Sequence, residues 1–187
     1  MKIEELAALV IAACEVEQID YMMTGAFAVT YYAIPRSTND VDFVLSLSPE
    51  DGIDRVIRRL SSHVTFESQV QFDTLTWGRR HVGLSRSSSA LKVELFELFD
   101  DAFVRQQFER RRPMDSKQLR HRVWLPTAED VIVQKLRWGR NKDLDDARDV
   151  LAVQGPETLD MPYIRKWCEL HKTSARLEDA LAGIPPL

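Results

Sequence analysis

Two carboxylates open an otherwise apolar strand, and this arrangement constrains the fold more than any other feature of the sequence. Residues 40–45 read Asp-Val-Asp-Phe-Val-Leu, and their β-branched and aromatic side chains predict a strand. Because side chains alternate along a strand, Asp40 and Asp42 should project from one face, about 6 to 7 Å apart, while the apolar residues enter the core. Two unpaired carboxylates on a buried strand are costly without a cation. The pattern therefore favours a cation site over the alternative, a solvated strand end.

A third acid lies on a second predicted strand. Residues 91–96 alternate strictly, which places Lys92 and Glu94 on one face and apolar residues on the other. Magnesium prefers carboxylate oxygens, and an Asp-x-Asp strand can bind it if a neighbouring strand adds a third acid. We therefore expect Asp40, Asp42 and Glu94 to hold Mg²⁺ or Mn²⁺. The four histidines are scattered along the sequence, so a zinc site is not expected.

The remaining pattern predicts a sheet followed by helices. The fold class is α/β (α+β), with a core and N-terminal helix over 1–125 and a helical C-terminal region over 126–187 packed on it. A polar loop is expected at 85–89, and the chain past Asp100 is expected to be mainly helical, apart from a short apolar segment at 123–125. Strands are predicted at 20–23, 40–45, 91–96 and, as hairpin pieces, within 64–83. Helices are predicted at 3–17, 27–32, after Ser48-Pro-Glu-Asp-Gly, and at 128–138, 142–153, 160–171 and 174–182.

The charge of the chain gives no overall attraction to nucleic acid. The formal net charge is -4, so an RNA partner would need a local basic patch. Such a patch is concentrated in the segment 105–122, where an RNA or protein acceptor could bind, although Glu109 and Asp115 also fit a solvated basic face. Its basic residues are Arg105, Arg110, Arg111, Arg112, Lys117, Arg120 and Arg122.

The cysteines and the N-terminus point to the cytoplasm. Cys14 and Cys168 are far apart and show no metal-ligand spacing, which is typical of a reducing compartment. The first residues lack the basic and then apolar order of a signal peptide, and no apolar run is long enough to cross a bilayer. We expect a cytoplasmic protein without a membrane partner.

A glycine corner precedes the acid strand. The short strand at 20–23 ends in Thr24-Gly25 and turns into a helix. Glycine at such a corner lets backbone N–H groups and the positive end of the helix dipole approach a phosphate closely. The alternative is that Gly25 serves only a tight turn.

These residues together resemble the polymerase-β-like nucleotidyltransferase superfamily. In that family a Gly-Ser or Gly-Gly after the first strand is followed, about a helix later, by Asp-x-Asp or Asp-x-Glu; this chain has Gly25-Ala26 and then Asp40-Val41-Asp42. The preceding run Arg36-Ser37-Thr38-Asn39 is similar to a small bacterial branch that includes the AbiEii-type toxins. The resemblance covers about residues 20 to 150.

The resemblance implies a nucleotidyltransferase-type mixed β-sheet flanked by helices. It also implies Mg²⁺-dependent transfer of a nucleoside monophosphate from a nucleoside triphosphate to a hydroxyl of tRNA, protein or a small molecule, and a possible antitoxin-like partner. Asp40, Asp42 and Glu94 would be the catalytic and metal-binding residues, and Lys135 would neutralise the β- and γ-phosphates. The implied nucleotide-binding residues are Gly25, Ala26, Arg36, Thr38, Lys135 and Asp143.

Simpler interpretations remain open at several of these positions. Lys135 could be an exposed helix residue, and Arg36 could pair with Asp40 or Asp42. Three aspartates of the next helix could form solvated pairs with nearby arginines. They are Asp143, Asp145 and Asp146.

Other functions compete with nucleotidyl transfer. Haloacid dehalogenase-type phosphatases also use Asp-x-Asp, but there the acids follow the apolar run, whereas here they precede it. A sugar-nucleotide glycosyltransferase would need a longer nucleotide-binding domain. The stronger alternative is a catalytically silent nucleotide-binding or toxin-antitoxin interaction module of the same fold, because Ala26 stands where the family has Ser or Gly.

Overall fold

The computed structural model describes residues 1–47, 52–73, 78–116, 119 and 121–184. The chain forms two compact units. The first consists of Met1–Phe27 and Ser37–Leu125, and the second of Ala28–Arg36 and Pro126–Leu187.

The first unit contains a mixed sheet and its covering helices. Its strands are β1 (Asp20–Thr24), β2 (Asp40–Ser46), β3 (Val64–Phe66), β4 (Gln71–Phe72), β5 (Arg79–Ser85), β6 (Ser88–Glu97), β7 (Arg112–Ser116) and β8 (His121–Leu125). Its helices are α1 (Ile3–Val16), α3 (Gly52–Leu60), α4 (Ala102–Arg110) and the start of α2 (Gly25–Tyr32), which passes into the second unit.

The main sheet has the strand order β1-β2-β6-β5-β3, with β4 paired to β5. β2 and β6 are parallel, and the other pairs are antiparallel. Strands β7 and β8 form a separate two-stranded sheet. The predicted fold class, a mixed sheet flanked by helices, is confirmed.

Alternation along β2 divides the two faces of the sheet. Val41, Phe43 and Leu45 are fully buried on one face. On the other face, Val44 packs in a hydrophobic cluster with Val104 and Phe108 of α4. The cluster covers the carboxyl-terminal part of β2, and the two aspartates occupy the same face at the amino-terminal part.

The second unit is helical. It contains most of α2 and the helices α5 (Ala128–Trp138), α6 (Asn141–Gln154), α7 (Met161–Leu170) and α8 (Ser174–Ala182). α5 begins where the hydroxyl of Thr127 accepts a hydrogen bond from the backbone N–H of Asp130, and it ends at Gly139 with a left-handed φ of 68°. The buried faces of α5 and α6 contribute Ile132, Leu136 and Val150 to the core of this unit.

Two local expectations are wrong. The chain past Asp100 is mainly helical as predicted, but the interruption expected at 123–125 begins earlier, because Arg112–Ser116 form strand β7, which pairs with β8. In β8, Val123 and Leu125 are buried and Trp124 is more exposed. The polar loop predicted at 85–89 is shorter, because Ser85 and Ser88 lie in paired strands. The helix signature at 48–51 and the hairpin positions 75 and 77 lie outside the described residues.

Both cysteines are buried and not disulfide-bonded. Burial and the neighbouring charge of Glu15 raise the pKa of the Cys14 thiol to about 12, so that thiol is not a nucleophile near neutral pH. Over the part of the chain that the structure describes, no helix is both long and apolar enough to cross a membrane.

Candidate active site

Strand pairing brings the three predicted acids together. β2 begins at Asp40, whose backbone N–H donates a hydrogen bond to the hydroxyl of Thr38 at 3.2 Å. In the parallel register of β2 and β6, Asp42 stands opposite Glu94 and Asp40 stands opposite Lys92. We refer to Asp40, Asp42 and Glu94 as the acid cluster.

Two cations already contact Glu94. The ammonium of Lys92 lies 2.7 Å from Glu94 Oε1 and 3.6 Å from Asp40 Oδ1. The guanidinium of Arg80, on β5, lies 3.3 Å from Glu94 Oε2, and it also donates a hydrogen bond to Gln71. Each carboxylate oxygen of Glu94 therefore has a cationic partner from a neighbouring position in the sheet.

The acid cluster keeps Lys92 charged. Burial would lower the pKa of Lys92, but the hydrogen bond with Glu94 and the charges of Glu94, Asp40 and Asp42 outweigh burial and raise it. The side chain of Glu94 is only 11% exposed, whereas those of Asp40 and Lys92 are 40% and 31% exposed. The cluster thus opens to solvent on the side of Asp40 and Lys92.

The donor set of the acid cluster fits magnesium in kind. Three carboxylates offer the hard oxygen ligands that Mg²⁺ prefers. Among the residues that the structure describes, however, no group of three or more His, Cys, Asp or Glu side chains is arranged so that it could hold a metal ion. In the structure, the ammonium of Lys92 lies against Glu94 Oε1 and near Asp40 Oδ1.

The backbone conformation at position 25 and the nearby side chain of Asp42 both require a glycine there. Its φ is +66°, a left-handed conformation that favours glycine, and a Cβ atom there would stand 1.9 Å from Asp42 Oδ2. The carboxylate of Asp42 therefore packs directly against the start of α2, where Gly25 and the buried Ala26 form the first turn. Gly25 lies at the turn from β1 into α2, as predicted, and the side chain next to it is that of Asp42.

We predict that Gly25→Ala destabilises the protein by more than about 2 kcal/mol. The left-handed backbone costs alanine about 1 to 2 kcal/mol, and the displacement of Asp42 adds to this. Urea unfolding measures the effect. Gly139→Ala is the control for the left-handed backbone, because its φ is +68°. Its Cβ would displace the guanidinium of Arg176, which donates a hydrogen bond to the backbone oxygen of Leu136, so its cost is an upper bound for the backbone effect.

A double-mutant cycle isolates the contribution of Asp42. In an Asp42→Ala background the added methyl of Gly25→Ala no longer meets a carboxylate. Its cost should therefore fall, although the Cβ of residue 42 remains 3.0 Å from the added methyl. An equal cost in both backgrounds would contradict the packing of Asp42 against Gly25.

The second unit contains an ion cluster of three buried side chains, Lys135, Asp143 and Asp146, and two exposed arginines, Arg36 and Arg140. The ammonium of Lys135 lies 3.1 Å from Asp143 Oδ1 and 2.7 Å from Asp146 Oδ2. Arg36 binds both oxygens of Asp146, at 2.7 and 2.9 Å. Arg140 donates two hydrogen bonds to Asp143. Each aspartate is thus held by Lys135 and by one arginine.

Burial of this cluster overturns two of the simpler interpretations. The side chain of Lys135 is 4% exposed, so it is not an exposed helix residue, and the side chains of Asp143 and Asp146 are 0% and 3% exposed, so they are not solvated pairs. Only Asp145 forms the expected exposed pair, with Arg148 one turn later. The roles of Lys135, Asp143 and Arg36 toward a nucleotide stay predictions.

The ion cluster holds its aspartates ionised. Burial alone would raise both pKa values, but the hydrogen bonds and charges of Arg140 and Lys135 hold the pKa of Asp143 below its ordinary value. Arg36 and Lys135 do the same for Asp146. Because the folded-state pKa values are depressed, the stability from these pairs is present above the ordinary pKa of 3.8 and is lost as the pH falls through the lowered values.

We predict that Lys135→Met destabilises the protein by about 3 to 5 kcal/mol at neutral pH, because it leaves two buried carboxylates short of a cation. The difference from the unsubstituted protein should shrink as the pH falls below 3.8 and through the lowered pKa values of Asp143 and Asp146, because protonation of these carboxylates removes their pairing with Lys135. Urea unfolding across this pH range measures both effects. Lys142→Met, at an exposed position of α6, should change stability by less than about 0.5 kcal/mol. A pH-independent difference would contradict the assignment.

The predicted basic patch is partly neutralised. Arg105 pairs with Asp100 at 3.0 Å, and Arg122 lies 3.8 Å from Asp115. Arg111 pairs with Asp20 and stacks on an aromatic ring, 4.0 Å from the ring centre of Phe108. Lys117 and Arg120 lie outside the described residues. Binding of RNA or protein to the segment 105–122 stays a prediction.

Three residues of these clusters were not predicted from the sequence as site residues, namely Lys92, Arg80 and Asp146. The strand alternation placed Lys92 on the face of Glu94, but its position opposite Asp40 follows only from the β2–β6 register. Arg80 is on β5, whose bounds the sequence defined poorly. Asp146 follows Asp143 by three residues. This spacing puts both on one helix face and could have predicted that they share a cation.

Comparison with solved structures finds the same fold in nucleotidyltransferases. The antibiotic-resistance factor ANT(2'')-Ia matches in its solution structure with a TM-score of 0.58 and 12% identity, over 94% of this chain and 95% of that one. Its crystal structure in complex with adenylyl-2''-tobramycin matches with a TM-score of 0.57 and 10% identity, over 92% and 98%. An antigenic nucleotidyltransferase-like protein from Paracoccidioides brasiliensis matches with a TM-score of 0.58 and 19% identity, over 99% and 94%.

These likenesses establish the nucleotidyltransferase fold of the chain. No protein-family model matches the sequence, and no curated protein matches it either. At identities of 10 to 19%, the site chemistry has to be argued from the residues of this chain.

Proposed function

We propose that the chain is a Mg²⁺-dependent nucleotidyltransferase, which moves a nucleoside monophosphate from a nucleoside triphosphate to an acceptor hydroxyl. The observation that carries the proposal is the pairing of Asp42 with Glu94 across parallel strands, with Asp40 on the same face of β2. In a fold shared with nucleotidyltransferases, three carboxylates at adjoining strands suit a cation and the phosphates that it accompanies.

The residues of the site would have separate roles in such a transfer. Asp40, Asp42 and Glu94 would hold the ion, which when bound would stabilise negative charge on phosphate oxygens and help ionise the acceptor hydroxyl. The first N–H groups of α2, at Gly25 and Ala26, have no intrahelical acceptor and would donate to the triphosphate. Glu94 would also accept the proton of the acceptor hydroxyl.

The remaining predicted residues support the site in this proposal. Thr38 fixes the start of β2 through the backbone of Asp40. Arg36, Lys135 and Asp143 would serve the triphosphate, as the family resemblance implies. Lys135 would do so with an ammonium that already donates to two aspartates.

The acceptor is proposed as a hydroxyl of tRNA, a protein or a small molecule. The complex of ANT(2'')-Ia with adenylyl-2''-tobramycin supports a small molecule. The basic segment 105–122 supports RNA or protein, and the run Arg36-Ser37-Thr38-Asn39 supports the branch of AbiEii-type toxins with an antitoxin-like partner.

A second candidate function is a catalytically silent nucleotide-binding or interaction module of the same fold. The contacts of Lys92 and Arg80 with Glu94 favour it, because both oxygens of that carboxylate already have cationic partners. Calorimetric titration of the protein with each nucleoside triphosphate and Mg²⁺, followed by an assay of pyrophosphate release, distinguishes the two. Binding without pyrophosphate release, in the presence of total cell RNA and protein, would favour the silent module.

We predict that Asp42→Asn abolishes transfer of labelled nucleotide to total RNA, protein or small hydroxylated acceptors. The loss should exceed the roughly 10- to 100-fold that removal of an outer-shell partner costs a metal site. Thermal stability without metal should be unchanged or higher, because repulsion among neighbouring carboxylates is relieved. Asp145→Asn, in the exposed pair with Arg148, is the matched control and should retain full transfer. Undiminished transfer by Asp42→Asn would refute the site.

A further inference from the structure

Lys92 stands in the acid cluster as a cation supplied by the chain itself. Its ammonium contacts Glu94 Oε1 at 2.7 Å and lies 3.6 Å from Asp40 Oδ1, so it bridges carboxylates from two parallel strands. Asp42, which stands opposite Glu94 in the parallel register, adds a third negative charge to the cluster. A divalent ion bridging Asp40 and Glu94 would draw on the same oxygens.

We propose that Lys92 is a resident counter-ion that a divalent metal ion must displace from Asp40 and Glu94 in order to bind the acid cluster. This inference rests on the proposed function, because it assumes that the cluster is the metal site of the chain. In this proposal, the affinity of the site for a metal ion depends on Lys92 as well as on the three acids.

The charges of the cluster both favour and oppose the replacement of Lys92 by a divalent ion. Three carboxylates with Lys92 and Arg80 leave one net negative charge, and departure of Lys92 leaves two, which matches a divalent ion. The ion therefore gains the carboxylates but loses the attraction between them and the ammonium. Its apparent affinity is lower than three carboxylates would provide without Lys92.

Lys92 can leave, whereas Arg80 is held. Lys92 has a flexible four-carbon stem, and its side chain is 31% exposed, so the ammonium can move into solvent. Arg80 is held by Glu94 and by a hydrogen bond with Gln71. The partner of Glu94 that a metal ion displaces is therefore Lys92.

The test is calorimetric titration of the full chain with Mn²⁺ alone. Lys92→Met removes the charge and keeps an unbranched stem. Arg79→Met is the matched control, because it also removes one positive charge from the sheet, but from a pair with Glu97, which alternation places on the other face. Lys92→Met should bind Mn²⁺ at least about tenfold more tightly than both the unsubstituted protein and Arg79→Met.

Thermal unfolding gives a second measurement, independent of catalysis. Without metal, Lys92→Met should melt at a lower temperature, because the three carboxylates lose a counter-ion. Saturating Mn²⁺ should raise its melting temperature by more than it raises that of the unsubstituted protein. Lys92→Gln, which can still donate a hydrogen bond to Glu94, replaces Lys92→Met if the latter does not fold.

The outcomes separate this inference from the proposed function. If only the Lys92 variants bind Mn²⁺, Lys92 is the counter-ion and the unsubstituted chain is the silent module. If the unsubstituted protein binds Mn²⁺ and the Lys92 variants bind it equally or more weakly, the inference is overturned and the metal site stands. If neither binds, both are overturned.

Discussion

The parallel pairing of β2 with β6 is the constraint on which the candidate site depends. This register sets Asp42 beside Glu94 and Asp40 beside Lys92, and it places the pair β2–β6 at the centre of the sheet, with β1 and β5 outside. A shift of one residue would move every side chain of a strand to the opposite face and separate the acids. The fully buried Val41, Phe43 and Leu45 oppose such a shift, because it would expose them. The hydrophobic core of the first unit therefore fixes the geometry of its polar site.

The same requirement for charge compensation governs both units. In the first unit the acid cluster is neutralised in part by Lys92 and Arg80, and it remains open to solvent beside Asp40. In the second unit Asp143 and Asp146 are almost fully buried, and three cations compensate them. A buried carboxylate without a partner would be costly in either place. The two clusters differ in the exposure of their acids, because the side chain of Asp40 is 40% exposed whereas those of Asp143 and Asp146 are 0% and 3% exposed.

The sequence predicted those elements whose signals are local. The bounds of β2 and α5 followed from β-branched runs and from the capping residue Thr127, and the three acids followed from strand alternation. Strand β7 was missed, because residues 112–116 carry no alternating pattern and form a strand only by pairing with β8. The position of Lys92 beside Asp40 was missed for the same reason. The pairing of β2 with β6 joins segments that are far apart in the sequence, and neither segment alone predicts it.

The central claim is that Asp40, Asp42 and Glu94 form the metal-dependent nucleotide site of a nucleotidyltransferase. Anomalous diffraction from crystals grown with Mn²⁺ and a non-hydrolysable nucleoside triphosphate tests it most directly. We predict a manganese peak bound by these carboxylates, the triphosphate at the start of α2, and the ammonium of Lys92 withdrawn from Asp40. A nucleotide bound elsewhere, or manganese absent from the acid cluster, would contradict it.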